Sequence, residues 1–238
     1  MKALCFLIPF IHSTLALPLC SNASLPTQKE DICAKNSDYS KHANPDFPYP
    51  TTVHLDLFIR DILQVDEEKH LIEIVAYTNL KWIESRIDIK SITQTDLHTV
   101  KPTSSELKQI WLTDVHYLNA ISAQKRIHYY TATKDPKTGK VWFKLTALWK
   151  SQFTCEMDFS NYPFDSHSCC WEMTSYYENI RTEKFKIDGL QNEKDLKLAT
   201  KDDPVVVQSK SLPFTVEMYP GQEGVEPVGS ENKTIGNV

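Results

Sequence analysis

Residues 155–169 read CEMDFSNYPFDSHSC, and this stretch decides how the rest of the chain is interpreted. Thirteen residues separate Cys155 from Cys169, and the tetrapeptide YPFD (162–165) lies at the centre. Because Pro163 fixes its own φ and biases the preceding residue toward an extended backbone, the pattern predicts a segment that folds back on itself. If the two cysteines are joined, closing a loop of this size stabilises the fold by about 3 kcal/mol in the chain-entropy model.

Composition excludes several classes of function. The 238-residue chain has a formal net charge of -5 and no block of basic residues interleaved with aromatics, so we expect no nucleic-acid partner. It has no Gly-rich phosphate loop, HExxH or GxSxG motif, and its eight histidines are scattered. We therefore expect no enzyme: no catalytic residue, no metal site and no cofactor.

The N-terminal residues indicate secretion. Residues 1–16 combine a basic start, a short apolar run and small residues before the predicted cleavage point, which is typical of a signal peptide. Asn22-Ala-Ser and Asn232-Lys-Thr fit the N-glycosylation pattern. We expect a protein of the secretory pathway that is extracellular, or on the extracellular face of a membrane, with a polar, loose or partly helical leader over 17–45.

The cysteine count is odd once the signal peptide is removed. Cys5 leaves with residues 1–16, and five cysteines remain. Cys20 with Cys33 is one candidate for a second bridge, and Cys33 with Cys170 is the alternative.

Period-two alternation predicts an all-β fold. Residues 51–82 read as two antiparallel strands joined by the turn VDEEKH, and 125–143 read as a second hairpin with a DPKTG turn. A short helix is predicted to begin near Ser104. Residues 181–203 are charged and read as a variable loop, whereas VVVQ and the run LPFTVEMY have strand character.

These motifs resemble the Cys-loop, or pentameric ligand-gated ion channel, receptor family. The loop at 155–169 looks like the family's disulfide-closed signature loop, in which Pro163 and Asp165 are signature residues. Trp82 takes the place of the tryptophan that ends the family's second strand, and the segment from Trp111 to Asp114 is similar to its Trp-x-Pro-Asp segment. Thr113 departs from that pattern by replacing the proline.

The resemblance implies an immunoglobulin-like β-sandwich with a short N-terminal helix or loop and a disulfide between Cys155 and Cys169. It assigns residues 46–225 to the neurotransmitter-gated ligand-binding domain. Residues 226–238 are then a loop or tail, and the family's final strand and transmembrane helices are expected to be absent from this sequence.

The family binds its transmitter in an aromatic box between neighbouring subunits, and the resemblance implies five candidate tyrosines. Tyr77 falls on the family's loop D, where a cross-strand packing role is the alternative. Tyr176 and Tyr177 fall on loop B, and Tyr219 ends the strand before loop C.

Loop A is the exception. Leu118 occupies the position of its aromatic residue, and the candidate Tyr117 is one residue away. An offset of one turns a strand side chain to the opposite face, so either the loop is bulged or this contact is lost.

The leading interpretation is the extracellular domain of a channel subunit that binds a small amine or amino-acid transmitter at interfaces in a homo- or hetero-pentamer. A membrane would be reached only through a transmembrane segment missing here or through partner subunits. The first alternative is a soluble secreted transmitter-binding protein resembling acetylcholine-binding protein. The second is a secreted interaction β-sandwich with no small-molecule site.

Overall fold

The structure is a computed structural model that describes residues 17–20, 32–89, 98–157, 160, 169–175, 183–192, 205–208, 215–218 and 233–237. Almost all regular structure is β. The strands are β1 (Ile32–Ala34), β2 (Thr51–Asp66), β3 (Leu71–Ile83), β4 (Ile87–Ile89), β5 (His98–Val100), β6 (Val115–Tyr117), β7 (Ala120–Lys134), β8 (Val141–Thr154), β9 (Cys170–Ser175), β10 (Glu183–Asn192), β11 (Val205–Gln208), β12 (Thr215–Met218) and β13 (Lys233–Asn237). One short helix, α1 (Ser104–Leu107), follows β5.

The larger sheet has six strands in the order β10-β2-β3-β8-β7-β5. Its two long hairpins confirm the alternation seen in the sequence, since β2 pairs with β3, and β7 with β8, in antiparallel register. In the turn between β7 and β8, Gly139 adopts φ 67° and donates its amide to the carbonyl of Asp135 at 2.8 Å. Glycine reaches this left-handed conformation without steric cost.

A second sheet of three strands, β13-β9-β6, covers one face of the first. Trp171 on β9 stacks near Phe153 on β8, with ring centroids 6.3 Å apart, and both rings are fully buried between the sheets. We call the covered side of the six-stranded sheet its inner face and the opposite side its outer face. The β-sandwich predicted from the sequence is confirmed.

The part of the N-terminal segment that the structure describes consists of β1 and turns, where the sequence predicted a loose or partly helical leader. Arg86, after β3, holds this segment to the sandwich. Its guanidinium donates to the carbonyls of Ser40 and Ala43 and makes two bonds to the buried carboxylate of Glu84, at 2.8 and 2.7 Å. The same guanidinium lies 4.8 Å from the ring centroid of Tyr39.

Helix α1 begins where the sequence predicted it. Thr103 is the N-cap, and Glu106 completes a capping box by accepting the backbone amide of Thr103 at 2.6 Å. The Glu106 carboxylate is buried and also accepts the amide of Ile32 on β1 at 3.3 Å. The cap therefore joins the helix to the N-terminal strand. Among the residues described, no helix has the length and apolar character needed to cross a bilayer.

Two strands correct the sequence interpretation. The charged segment 181–203, predicted as a loop, contains β10, which pairs in parallel with β2. The segment 226–238, predicted as a tail without the final strand, contains β13, which pairs with β9. Both strands are fixed by partners far away in the chain, and such pairing leaves little local pattern in composition.

Candidate functional site

The part of the chain that the structure describes contains two disulfides. Cys155 is joined to Cys169, with Cα atoms 5.1 Å apart, and Cys20 is joined to Cys33. The second bond decides between the pairings that the sequence left open. Cys170 keeps its thiol, whose pKa is raised by burial and, to a smaller extent, by the charge of Glu172.

The base of the disulfide loop is bound to the turn between β2 and β3. His70, the last residue of that turn, accepts the amide of Cys155 through its carbonyl at 2.8 Å. Its imidazole Nδ1 accepts the amide of Met157 at 3.3 Å. Because a backbone amide can only donate, Nδ1 carries no proton in this arrangement. The turn and the loop base thus form one hydrogen-bonded unit.

Asn119 provides a second anchor beside the same disulfide. Its side-chain amide donates to the carbonyl of Cys170 at 2.6 Å, and its Oδ1 accepts the amide of Glu172 at 3.0 Å. Its carbonyl accepts the amide of Thr154 at 3.2 Å. The asparagine therefore connects β8 and β9 next to the two cysteines.

Tyr77 lies on the outer face of the six-stranded sheet. Its cross-strand neighbours are Phe58 on β2 and Leu148 on β8, and Leu148 lies opposite Ile127 on β7. Directly paired residues of antiparallel strands share a face, so these four side chains form one row across four strands. Tyr77 is half-buried and Ile127 is 55% exposed. We call Phe58, Tyr77, Leu148 and Ile127 the outer apolar row.

Tyr117 occupies a different environment. Its ring lies 5.1 Å from Trp171 in a stacked arrangement and 4.9 Å from Trp149 in an edge-on one, and the residue is only 4% exposed. Burial, followed by the charge of Asp114, raises the pKa of the Tyr117 hydroxyl well above its ordinary value of 10.0. The sequence suggested a ligand contact, whereas the geometry gives this ring a packing role.

The two described tyrosines lie on opposite sides of one sheet. Tyr117 contacts Trp149 on the inner face, whereas Tyr77 projects from the outer face. Because the six-stranded sheet lies between the two rings, one small molecule cannot touch both. The structure thus does not bring the predicted aromatic residues together within one copy of the chain.

The structure pairs Asp114 with Lys125, a contact that the sequence analysis did not predict. Asp114 forms an ion pair with Lys125, and the Lys125 ammonium lies 4.8 Å from the ring centroid of Trp149. Asp114 and Trp149 border a cavity of about 380 Å³ that His116 and Tyr117 also line. A lysine of the chain itself is thus the cation over this indole. No local sequence pattern indicates this contact, because Lys125 faces Trp149 only through the register shift between Lys125 and Ile127.

The signature tryptophans are structural. Trp82 and Trp111 are buried and pack edge-on with ring centroids 5.9 Å apart, while Trp82 stacks on Phe143 at 5.7 Å. Thr113, which stands where the family pattern has proline, donates its hydroxyl to the buried carboxylate of Glu183 at 2.9 Å. The substitution therefore joins this segment to β10.

Several predicted residues lie outside the described part of the chain: Tyr176, Tyr177, Tyr219, Pro163, Asp165, Asn22 and Asn232. Within the part that is described, no group of three His, Cys, Asp or Glu side chains is placed to hold a metal ion.

Comparison with known proteins agrees with the fold. Residues 30–220 match the family model described as neurotransmitter-gated ion-channel ligand binding domain. The chain is 26% identical over 157 residues to acetylcholine receptor subunit alpha-type acr-5 of Caenorhabditis elegans, covering 60% of this chain and 25% of that protein. It is 25% identical over 145 residues to the gamma-aminobutyric acid receptor subunit gamma-1 of Rattus norvegicus, covering 58% of this chain and 29% of that protein.

The chain therefore spans less than a third of the length of these two relatives. The family match covers most of the chain and includes both strand hairpins and the disulfide loop. This chain belongs to the family of neurotransmitter-gated ion-channel ligand-binding domains.

Proposed function

We propose that this domain binds a small amine or amino-acid transmitter outside the cell, at the interface between neighbouring subunits of an oligomeric receptor. The relatives are named as acetylcholine and gamma-aminobutyric acid receptor subunits, which supports both ligand classes. The observation that carries the proposal is the position of Tyr77. Its side chain lies on the outer face between Phe58 and Leu148 of the outer apolar row.

An aromatic ring on an exposed face can form one side of a binding site, and a second surface must cover the ligand. A ligand ammonium over a Tyr face gains roughly 0.5 to 2 kcal/mol, the larger value only when water is excluded. Tyr77 is half-buried by its own sheet, and another surface must exclude the remaining water. A head-to-tail ring of subunits supplies such a surface to every copy. Tyr176, Tyr177 and Tyr219 belong to the same proposal as contacts from the neighbouring subunit.

Replacing Tyr77 tests the proposal. We expect Tyr77→Ala to weaken binding of the transmitter by roughly 2- to 30-fold, because about 0.5 to 2 kcal/mol of ring contact is lost. Calorimetric titration of the secreted protein with acetylcholine and with γ-aminobutyrate provides the measurement. Tyr49→Ala is the matched control, since Tyr49 is 74% exposed in a loop before β2. Equal affinity of wild type and Tyr77→Ala would remove Tyr77 from the site.

A second candidate function is protein interaction without a small-molecule site. Strand β7 exposes three large apolar side chains, Ile121, Ile127 and Tyr129, at 61%, 55% and 48%. Exposed apolar side chains grouped on one strand are typical of an interface with another protein. This candidate predicts assembly with receptor subunits but no heat of binding for either transmitter, and the same titration distinguishes the two functions.

A further inference from the structure

A row of basic side chains crosses the outer face of the six-stranded sheet. Lys186 on β10 lies in register with His54 on β2. Lys81 on β3 lies opposite His54, and Lys144 on β8 lies opposite Lys81. Residues in register on neighbouring strands share a face, so the row extends about 14 Å over three steps between strands. Lys184 lies two residues before Lys186 on the same face of β10. We call these five residues the basic band.

Two aspartates neutralise part of the charge of the basic band. Asp56 is paired with Lys81 at 2.6 Å. Asp188 is shared, because its carboxylate lies 2.7 Å from the imidazole of His54 and 3.3 Å from the ammonium of Lys186. One carboxylate can balance only one of the two cations beside it when the histidine is protonated.

The remaining charge of the basic band is positive and accessible. Among the residues that the structure describes, no carboxylate is paired with Lys144 or Lys184. Four lysines against two aspartates leave an excess of two positive charges, without His54. The side chains of Lys186 and Lys81 are 57% and 39% exposed. Like charges directly opposite each other across strands are destabilising, and an anion lying along the band relieves that repulsion.

The residue types around the band favour a flexible polyanion over an acidic protein surface. Protein interfaces are depleted in lysine and depend on buried aromatic and arginine anchors. The next residues of the outer face toward the middle of β2, β3 and β8 are polar: Asp56, Asn79 and Thr146. On the other side, Trp142 already packs edge-on against His54, with ring centroids 5.8 Å apart.

Lysine also suits repeated anionic groups. Its ammonium is a compact point charge on a flexible stem, whereas a guanidinium favours one planar partner with two parallel hydrogen bonds. Lysines on three of the four strands can therefore meet successive sulfate groups of one chain, without a fixed geometry for any of them.

We propose that the basic band binds a sulfated polysaccharide, with the sulfate groups of one chain contacting lysines of several strands. Such polymers are found outside the cell, the location proposed for this domain. The proposal goes beyond the proposed function and does not rest on it. Lys81 is four residues from Tyr77 along β3, a rise of about 13 Å, so the polysaccharide and a transmitter occupy separate parts of the outer face.

Calorimetric titration of the secreted protein with a heparin octasaccharide tests the proposal. A fully desulfated octasaccharide of the same length is the matched probe. We expect only the sulfated probe to bind, and its affinity to fall as NaCl is raised from about 50 to about 200 mM, because binding to a polyanion releases counterions.

Substitutions in the band locate the site. We expect Lys144→Gln and Lys186→Gln each to weaken binding about fivefold, the effect of one lysine near an anionic surface, and the double variant to weaken it at least tenfold. Lys69→Gln is the matched control, because it removes the same charge from an exposed side chain at the opposite end of β3. Its affinity should equal that of the wild type.

Several outcomes overturn the proposal. Absence of binding by the heparin octasaccharide at about 50 mM NaCl does so, and so does equal binding of the desulfated probe. Binding that the double variant leaves unchanged excludes the band as the site. If heparin does not bind while Lys144→Glu reduces the mass of the assembled protein, the band meets an acidic protein surface instead.

The test is independent of the stability of any one variant and of transmitter binding. Circular dichroism melting curves establish that each variant is folded, and either single substitution suffices if the double variant is not. Titration of Tyr77→Ala with transmitters is measured separately. Failure of the polysaccharide proposal therefore leaves the proposed function standing, and the reverse also holds.

Discussion

At the scale of single residues, Tyr77 and Tyr117 show how far strand periodicity predicts a side chain's role. Alternation in 71–82 correctly places Tyr77 between inward residues, because Ala76 and Thr78 are buried. Tyr117, one residue from the loop A position, was a candidate ligand contact, and its side chain turns into the core. The aromatic neighbours that fill its surroundings come from β8 and β9, and no local pattern reveals them.

The burial of Tyr117 predicts a pH dependence of stability. Its pKa is raised well above 10.0 in the fold, whereas an unfolded tyrosine titrates near the ordinary value. Below pH 10 both states keep the proton and the hydroxyl contributes no pH dependence. Above it the folded state binds the proton more tightly, so the free energy of unfolding falls as pH rises toward the folded pKa.

We expect Tyr117→Phe to make the free energy of unfolding fall less steeply above pH 10, by about 1.4 kcal/mol per pH unit, which is the contribution of one proton. Some alkaline loss persists in the variant because burial, followed by the charge of Glu84, also raises the pKa of Tyr39. Urea unfolding at neutral pH and at several values above 10 measures the slope. Parallel curves for wild type and variant above pH 10 would contradict the assignment.

At the scale of elements, the sequence predicts structures that depend on neighbouring residues and misses those that depend on pairing with strands far away in the chain. Both hairpins, their turns and helix α1 are predictable because alternation, DPKTG and the capping residues lie within each segment. The β-bulges are not predictable, because a shift of register between Ile59 and Asp61 or between Lys125 and Ile127 is defined only by the alignment with the partner strand. The parallel strand β10 is hard to predict for the same reason, because its partner β2 is far away in the chain and its charged composition is typical of a loop.

The turn between β2 and β3 offers a test at this scale. His70 has φ 53° and also accepts the amide of Met157 through Nδ1. We expect His70→Ala to lower the free energy of unfolding by roughly 1 to 2 kcal/mol, about 1 kcal/mol for the lost hydrogen bond and the remainder because histidine tolerates a positive φ better than alanine. Urea unfolding gives the total, and hydrogen exchange at the Met157 amide reports the local contact.

His70→Asn is the informative companion variant, because asparagine tolerates a positive φ better than alanine does. It should recover up to about 1 kcal/mol of the loss, while the Met157 amide exchanges faster than in wild type. Equal stability of the two variants would show that backbone conformation at this position contributes little. Unchanged exchange at Met157 in both variants would exclude the imidazole contact.

At the scale of the whole molecule, the two faces of the six-stranded sheet differ in what covers them. The inner face is closed by the three-stranded sheet and its aromatic rings. On the outer face the row at Tyr77 ends at Ile127, and β5 pairs with β7 only over Ala132–Lys134. Much of β7 in the described sheet therefore presents a strand edge with exposed apolar side chains. Such edges favour pairing or packing with another chain.

Assembly through this edge can be tested with a single charge. Ile127 is 55% exposed, so Ile127→Glu should leave the isolated fold intact while placing a carboxylate in the proposed subunit interface. Losing a buried Ile contact of about 1.5 kcal/mol or more raises the dissociation constant of the assembly at least tenfold. Light scattering after size-exclusion chromatography should show smaller species at equal concentration. Thr52→Glu, at an exposed position of β2, provides the matched control. If Ile127→Glu keeps the wild-type mass while melting at the same temperature, subunits do not meet through β7, and the ligand half-site at Tyr77 must be completed from another direction.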